Sequence, residues 1–374
     1  MTSKPRSEEE TRDLSHELGK TFVADLSEQL FMPRGQPPHP TGAVLIALLT
    51  DDFMPDYAPP NSVIEIVDLA AMSTVGSFSI GQREVTSLAV RRLGSHNFRL
   101  YVTDLTNGAV VAFNANSGAV TATVAVAFPR DCVMAPTGHR LFVSADQAVV
   151  AIDTGPHTVS KVLQTGTDTP LGISLSSDGS TLAVATTDGG LNPALYLIDA
   201  STLTLTARIA ITNPGEPTNC ATFPNDTTFT DTGRVLLWDS NCDNLYQVDA
   251  ASAAQQTSDT IRMGRDAGSF FNFNNQLSYS TVSNRAHVTK ESAALAVMDA
   301  AGVTGSALGG FTGTPFVPSL APDGKTLFVS VIHRFSGGGA DTLDRYDVTS
   351  GAFTRAVYTF SRSSMSVRDM QIVQ

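Results

Sequence analysis

The chain has 374 residues, a formal net charge of -12, 42% hydrophobic residues, 7% aromatics and a single tryptophan, Trp238. That charge excludes a nucleic-acid backbone as partner, because such binding needs clustered Lys and Arg to displace counterions. No stretch reaches the roughly 18–20 apolar residues of a membrane span, and apolar content carried by Ala, Val, Leu and Ile beside abundant Thr and Ser suits many short strands.

From the N-terminus, MTSKPRSEEETRD has no apolar core of the signal-peptide kind, so the chain as given reads as cytoplasmic; a removed leader would make it extracytoplasmic. Leu14, Leu18, Phe22, Leu26 and Leu30 then recur every four residues behind Glu8, Glu9 and Glu10. That spacing predicts an amphipathic helix with an acidic start, ended by Pro33, Pro37, Pro38 and Pro40. Residues 1–41 therefore form an N-terminal helical extension. Its helix either packs on the rim of the main domain or serves a protein partner or a dimer.

Beyond Gly42 the chain repeats. An apolar strand ending in Asp or Asn occurs as IEIVD at Asp68, VVAFN at Asn114, VVAID at Asp153, LYLID at Asp199, LYQVD at Asp249, LAVMD at Asp299 and DRYD at Asp347, spaced by 39 to 50 residues. The short Asx side chain bonds backbone two residues on and nucleates a tight turn. Upstream stand glycine hairpin signals: Pro136-Thr137-Gly138, Ser177-Asp178-Gly179, Asp231-Thr232-Gly233 and Pro322-Asp323-Gly324. Each unit reads as strand A, glycine turn, strand B, variable loop, strand C, Asx turn, strand D. The expected fold is all-β, a single seven-bladed β-propeller of four-stranded antiparallel blades over residues 42–374. The first unit opens on strand B, and the run 366–373 has no strand B after it. The C-terminus is thus expected to supply strand A of blade 1, closing the ring and removing exposed sheet edges.

Tyr101-Val102-Thr103-Asp104, followed by a glycine turn and AVVAFN, resembles the YVTN repeat of bacterial seven-bladed propellers. Leu141-Phe142-Val143-Ser144 and Leu327-Phe328-Val329-Ser330 occupy the equivalent strand. The resemblance extends loosely to seven-bladed lactonases and muconate-lactonising enzymes. It implies ring-opening or ring-closing chemistry by His, Glu and Arg at the channel mouth, and no motif here is close enough to carry over their residues.

On the face bearing the B–C and D–A loops, four connections are enlarged. They span 51–61 with Asp52 and Tyr57, 213–225 with Glu216 and Cys220, 264–275 with Arg265, Asp266, Phe270 and Phe271, and 333–340 with Arg334. Long loops on a rigid scaffold often carry function. His333 with Arg334, beside Asp51 and Asp52 through ring closure, suits a general base with an Arg holding an anionic oxygen; the alternative is a solvated loop histidine. Arg83, Arg130, Arg265 and Arg362 at blade entrances suit a clamp on a carboxylate, unless Glu84, Asp131 and Asp266 neutralise them locally. Glu216, Tyr57, Phe270 and Phe271 complete the candidate ligand-binding set.

Asp51, Asp104, Asp146, Asp188 and Asp239 fall at the top of strand B, where converging oxygens would suit a divalent metal such as Ca²⁺. Asp104, Asp188 and Asp239 are the metal candidates, and strand-end turns are the alternative. His287 lies inside a strand and reads as packed. Cys220 and Cys242 sit on one face of one blade, positioned for a disulfide, and Cys132 reads as a small buried hydrophobe. There is no HExxH, Walker A loop, GxSxG or CxxC, and the seven histidines show no four-fold pattern. No cofactor is expected beyond a divalent cation. The functional expectation is small-molecule binding at the channel mouth, with cofactor-independent catalysis on a carboxylate or lactone. The alternative is a non-enzymatic scaffold that binds a protein partner.

Overall fold

Short alternating strands separated by turn residues fold as sheet, unit by unit, in the computed structural model. It describes residues 42–51, 60–94, 97–188, 192–212, 224–239, 244–255, 261–262, 277–290, 294–299, 305–308, 311–333, 340–362 and 365–374. One blade holds β1 (Val44–Asp51), β2 (Asn61–Asp68) and β3 (Ser73–Gln82). The next holds β4 (Val85–Arg92), β5 (Phe98–Asp104), β6 (Ala109–Asn114) and β7 (Val120–Ala125), and is followed by β8 (Asp131–Met134), β9 (Arg140–Ala145), β10 (Ala148–Asp153) and β11 (Thr158–Gln164). Then come β12 (Thr169–Leu175), β13 (Thr181–Thr187), β14 (Ala194–Asp199) and β15 (Thr204–Ala210). The following blade contains β16 (Pro224–Phe229), β17 (Arg234–Asp239), β18 (Asn244–Asp249) and β19 (Ala254–Gln255), with β20 (Ile261–Arg262) also pairing β18. After it stand β21 (Leu277–Ser280), β22 (Arg285–Lys290), β23 (Ala294–Asp299) and β24 (Gly305–Leu308), then β25 (Thr314–Leu320), β26 (Thr326–Ile332), β27 (Thr342–Asp347) and β28 (Phe353–Thr359). The last strand, β29 (Met365–Val373), pairs antiparallel with β1, giving the order β29-β1-β2-β3.

The innermost strands touch in turn: β29 with β4, β4 with β8, β8 with β12, β12 with β16, β16 with β21, β21 with β25, and β25 with β29. This is an all-β propeller of four-stranded antiparallel blades. The described residues include no α-helix, and the helix expected over 14–30 lies outside them. Among them no helix is long and apolar enough to cross a membrane.

Burial explains the blade order. Strand β1, second from the channel, is buried almost throughout, while the outermost strands β7, β11 and β15 are largely exposed. Cores form between neighbouring blades: Leu48 and Ile64 pack with Leu88, Leu100 and Phe113, and Phe142 and Val149 pack with Leu182 and Tyr196. His287 is buried in such a seam on β22, its ring edge-on to Tyr346 with centroids 6.0 Å apart. Cys132 is buried too, and burial beside Asp131 pushes its thiol up.

The turn chemistry is local. Asp199 Oδ1 accepts the Ser201 and Thr202 N–H groups at 2.9 and 2.8 Å, and Asp347 Oδ1 accepts those of Thr349 and Ser350 at 2.9 and 2.7 Å. Asp68, Asn114 and Asp249 do the same. Such bonds stabilise the charged form: the Ser350 N–H holds Asp347 below the usual carboxylate range, and the Ser201 hydroxyl, donating at 2.7 Å, with the Thr202 N–H holds Asp199 at about 2.

The channel wall uses aspartate differently. Innermost strands carry β-bulges, with register shifts between Val85 and Leu88, Pro170 and Ile173, Pro224 and Asp226, and Pro315 and Pro318, and in β29 opposite Leu48 and Leu49. A bulge re-aims side chains locally. In β29, Asp369 accepts the Met370 N–H with one oxygen and the Leu88 N–H of β4 with the other, both at 2.7 Å. Asp131 likewise joins Cys132 N–H at 2.7 Å to Ile173 N–H of β12 at 2.9 Å. Asp226 joins Thr227 N–H at 2.7 Å to Leu277 N–H of β21 at 2.8 Å. Each buried carboxylate thus satisfies two buried donors and staples one blade to the next. Gly172 permits the approach of β16, since a Cβ there would stand 2.6 Å from the Asn225 carbonyl oxygen.

Candidate functional site

The B–C and D–A loops lie side by side. Leu105 N–H donates to the Glu84 carbonyl at 2.8 Å, the Ser62 hydroxyl to the Arg83 carbonyl at 2.8 Å, and Phe360 N–H to the Asp341 carbonyl at 3.0 Å. On this face the structure places the described candidates in two groups.

The first group flanks the β29-β1-β2-β3 blade. At one side His333, just past β26, bonds Thr342 Oγ1 through Nε2 at 2.9 Å, while its backbone N–H donates to Asp341 Oδ1 at 3.3 Å. Gly313, at the entrance to β25, lies under the imidazole. A Cβ there would come within 3.0 Å of His333 Nδ1 and 2.3 Å of the Ile332 carbonyl oxygen, so glycine alone fits. Buried Asp344 stands near: burial pushes its carboxyl up, while the charges of His333 and Arg355 and the Ala356 N–H, which donates to it at 2.7 Å, oppose that rise. At the other side Arg83, in the β3–β4 loop, ion-pairs with the buried carboxylate of Asp104, and its Nε–H donates to the Ile80 carbonyl at 2.7 Å. Asp51 closes β1 between them, its Oδ2 accepting the Asn61 amide at 2.7 Å. Arg362 is exposed in the connection to β29.

The carboxylates at the ends of strand B form the second group. Asp104 takes both the backbone and side-chain N–H of Asn107, at 3.1 and 2.9 Å, and Asp188 takes both of Asn192, the backbone one at 2.7 Å. Asp239 accepts the Tyr246 hydroxyl at 3.3 Å, and Asp146 is exposed. Asp104, Asp188 and Asp239 each bond a residue of their own B–C connection or the strand after it, and Asp104 also holds Arg83. No three His, Cys, Asp or Glu among the described residues group as metal ligands would. Arg130 is half-buried at the entrance to β8, and its acidic neighbour Asp131 points into the inter-blade seam. Arg334, Asp52, Tyr57, Glu216, Arg265, Asp266, Phe270, Phe271, Cys220 and Cys242 lie outside the described residues.

Two polar clusters escaped the sequence reading. Buried Glu65 of β2 accepts the hydroxyls of Tyr358 and Ser361, binding the first blade to the β25–β28 blade, and burial with Glu65 pushes the Tyr358 phenol up. Asp168, entering β12, accepts Tyr196 Oη–H at 2.7 Å and Arg208 Nε–H at 3.0 Å. A charged residue inside the apolar run IEIVD was the available signal for Glu65.

No family model and no curated protein matches the chain. Solved structures do. A putative 6-phosphogluconolactonase from Bacteroides fragilis aligns at TM-score 0.61 and 13% identity, over 90% of this chain and 100% of that one. Hydrazine synthase of Kuenenia stuttgartiensis aligns at TM-score 0.56 and 19% identity, over 71% of this chain and 76% of that one. The Cps50 (Swd1) β-propeller domain of Myceliophteria thermophila aligns at TM-score 0.56 and 16% identity, over 73% and 90%. These likenesses give the propeller fold.

Proposed function

We propose that the chain is a seven-bladed, lactonase-like propeller that binds a small carboxylate- or lactone-type molecule across the mouth of the β29-β1-β2-β3 blade. The cycle of innermost strands and the YVTN-like strand at Tyr101 support the blade number. The observation that carries the functional reading is His333, seated on a glycine that leaves room for its ring and bonded through Nε2 to a hydroxyl. An imidazole so held is placed to take a proton from an attacking water as general base. Water then adds to the lactone carbonyl, the ring C–O bond breaks, and the proton returns to the leaving alkoxide, giving a hydroxy acid. Arg83 spends Nε and Nη1 on Ile80 and Asp104. Its Nη2 donors, of the five a guanidinium carries, serve the substrate or product carboxylate. The likeness to a putative 6-phosphogluconolactonase favours the same substrate class.

A thermal-shift screen with lactones, hydroxy acids and divalent cations tests this, because a ligand bound only by the folded chain raises Tm by mass action. The expected result is stabilisation by a lactone or hydroxy acid, lost in His333→Ala and weakened in Arg83→Met. Equal stabilisation of wild type and His333→Ala, or co-purification of a protein partner with no small-molecule hit, overturns it.

A further inference from the structure

A hydrogen count at the channel wall exposes a missing proton. Ser87 of β4 lies between the two stapling carboxylates of the neighbouring strands, its Oγ 2.8 Å from Asp131 Oδ1 and 3.2 Å from Asp369 Oδ2. All three side chains are buried. A serine hydroxyl has one hydrogen to give. Given to Asp131, it leaves Ser87 Oγ and Asp369 Oδ2 facing each other as two acceptors in a buried seam. Backbone N–H groups already occupy the other approaches: Met370 and Leu88 on Asp369, Cys132 and Ile173 on Asp131. Two buried carboxylates this close to one hydroxyl do not both ionise without a large cost.

We infer that one proton is held in the relay Asp369–Ser87–Asp131, with Asp369 donating to Ser87 and Ser87 to Asp131, and that this proton locks the C-terminal strand against the two blades that follow it. Its loss sets two buried anions against each other across β29, β4 and β8, and loosens the seam.

Most charged side chains on the surrounding elements are committed to other groups. Arg368 of β29 gives its Nε–H to Thr50 Oγ1 at 2.9 Å, and Arg83, ahead of β4, is paired with Asp104. Arg91 of β4 donates to the Thr154 carbonyl at 3.0 Å, and Arg92 to that of Gly94 at 3.2 Å. Asp51 ends β1, and Arg99 of β5 bonds His157 at 3.1 Å. Arg130 stands at the mouth end of β8, and Arg140 of β9 donates to the Ala200 carbonyl at 3.2 Å. Asp168, ahead of β12, holds Arg208, and Asp226 of β16 holds Leu277. The Cys132 thiol lies 3.7 Å from Ser87 Oγ. Burial raises both carboxyls, Asp131 to about 6 and Asp369, with the charge of Asp131 adding to the rise, to about 7. Because the folded values lie above the unfolded one, the stability is full at the acid end and is lost as pH rises from about 4 through about 7.

Infrared spectroscopy combined with urea denaturation across pH 4 to 9 tests the relay. The wild type is expected to show a protonated-carboxyl carbonyl band at pH 6 that fades toward pH 8. Its unfolding constant should rise by up to about tenfold per pH unit for each proton released. Asp369→Asn should lose the band. Ser87→Ala keeps both carboxyls but removes the acceptor, so its band should move; it serves where Asp369→Asn fails to fold. Absence of the band in wild type at pH 6, or a band unchanged in both variants, overturns the inference.

Discussion

Aspartate on the turn rim and aspartate on the channel wall are the same side chain put to opposite use. Asp199 and Asp347 accept neighbouring backbone N–H groups in open solvent, and those bonds favour the anion. Asp131 and Asp369 accept the same kind of donor but are buried in the seam, and burial outweighs the bonds and favours the acid. Hydrogen-bond number therefore does not decide the charge state; access to solvent does.

The contrast is broken most strongly by Asp226→Ala. Two buried donors, Thr227 N–H and Leu277 N–H, would lose their acceptor. At about 1–3 kcal/mol for each of the two orphaned groups, the expected loss is about 2–6 kcal/mol, read from the urea midpoint with an unchanged slope. Next comes His287, which titrates in the opposite sense to the wall carboxyls. Burial, with the Arg285 charge, lowers it from 6.5 to about 4. Stability should be full above pH 6.5 and fall as pH drops through about 4, by about 1–3 kcal/mol in all. His287→Phe should flatten the acid limb and leave the alkaline limb alone. The smallest effect belongs to the rim. Asp347→Ala should lower Tm by only a fraction of the Asp226→Ala shift, because water replaces the lost acceptor. Its contribution should vanish only in strong acid, since its carboxyl stays ionised below the usual range.

What was legible in the sequence follows the same division. The rim turns depend on residues two or three apart, so Asp68, Asn114, Asp199, Asp249 and Asp347 announced them. The strands announced themselves by apolar runs between glycine turns. Asp131, Asp226 and Asp369 gave no comparable signal, because their second donors lie in the next blade: Ile173, Leu277 and, across nearly the whole chain, Leu88. At the mouth, the residues closing strand B drew attention as a carboxylate ring. In the structure Asp104 and Asp188 hold Asn107 and Asn192, a pairing within reach of the sequence had the asparagines been read together with the acids. Gly313 carried no motif at all; it is explained by the Ile332 carbonyl oxygen, 2.3 Å from where a Cβ would stand, together with the imidazole of His333.

The pairing of β29 with β1 joins residues more than 300 positions apart. During synthesis β1 emerges well before β29 and waits, one side matched to β2 and the other an unpaired row of amides, until β29 leaves the ribosome. The order of manufacture thus sets a clock on assembly, since a ring cannot shut before its final segment exists. Nascent chains stalled before residue 365 should present a sticky edge to one another. A short strand peptide matching 365–373, supplied in trans, would be a rational cap for it.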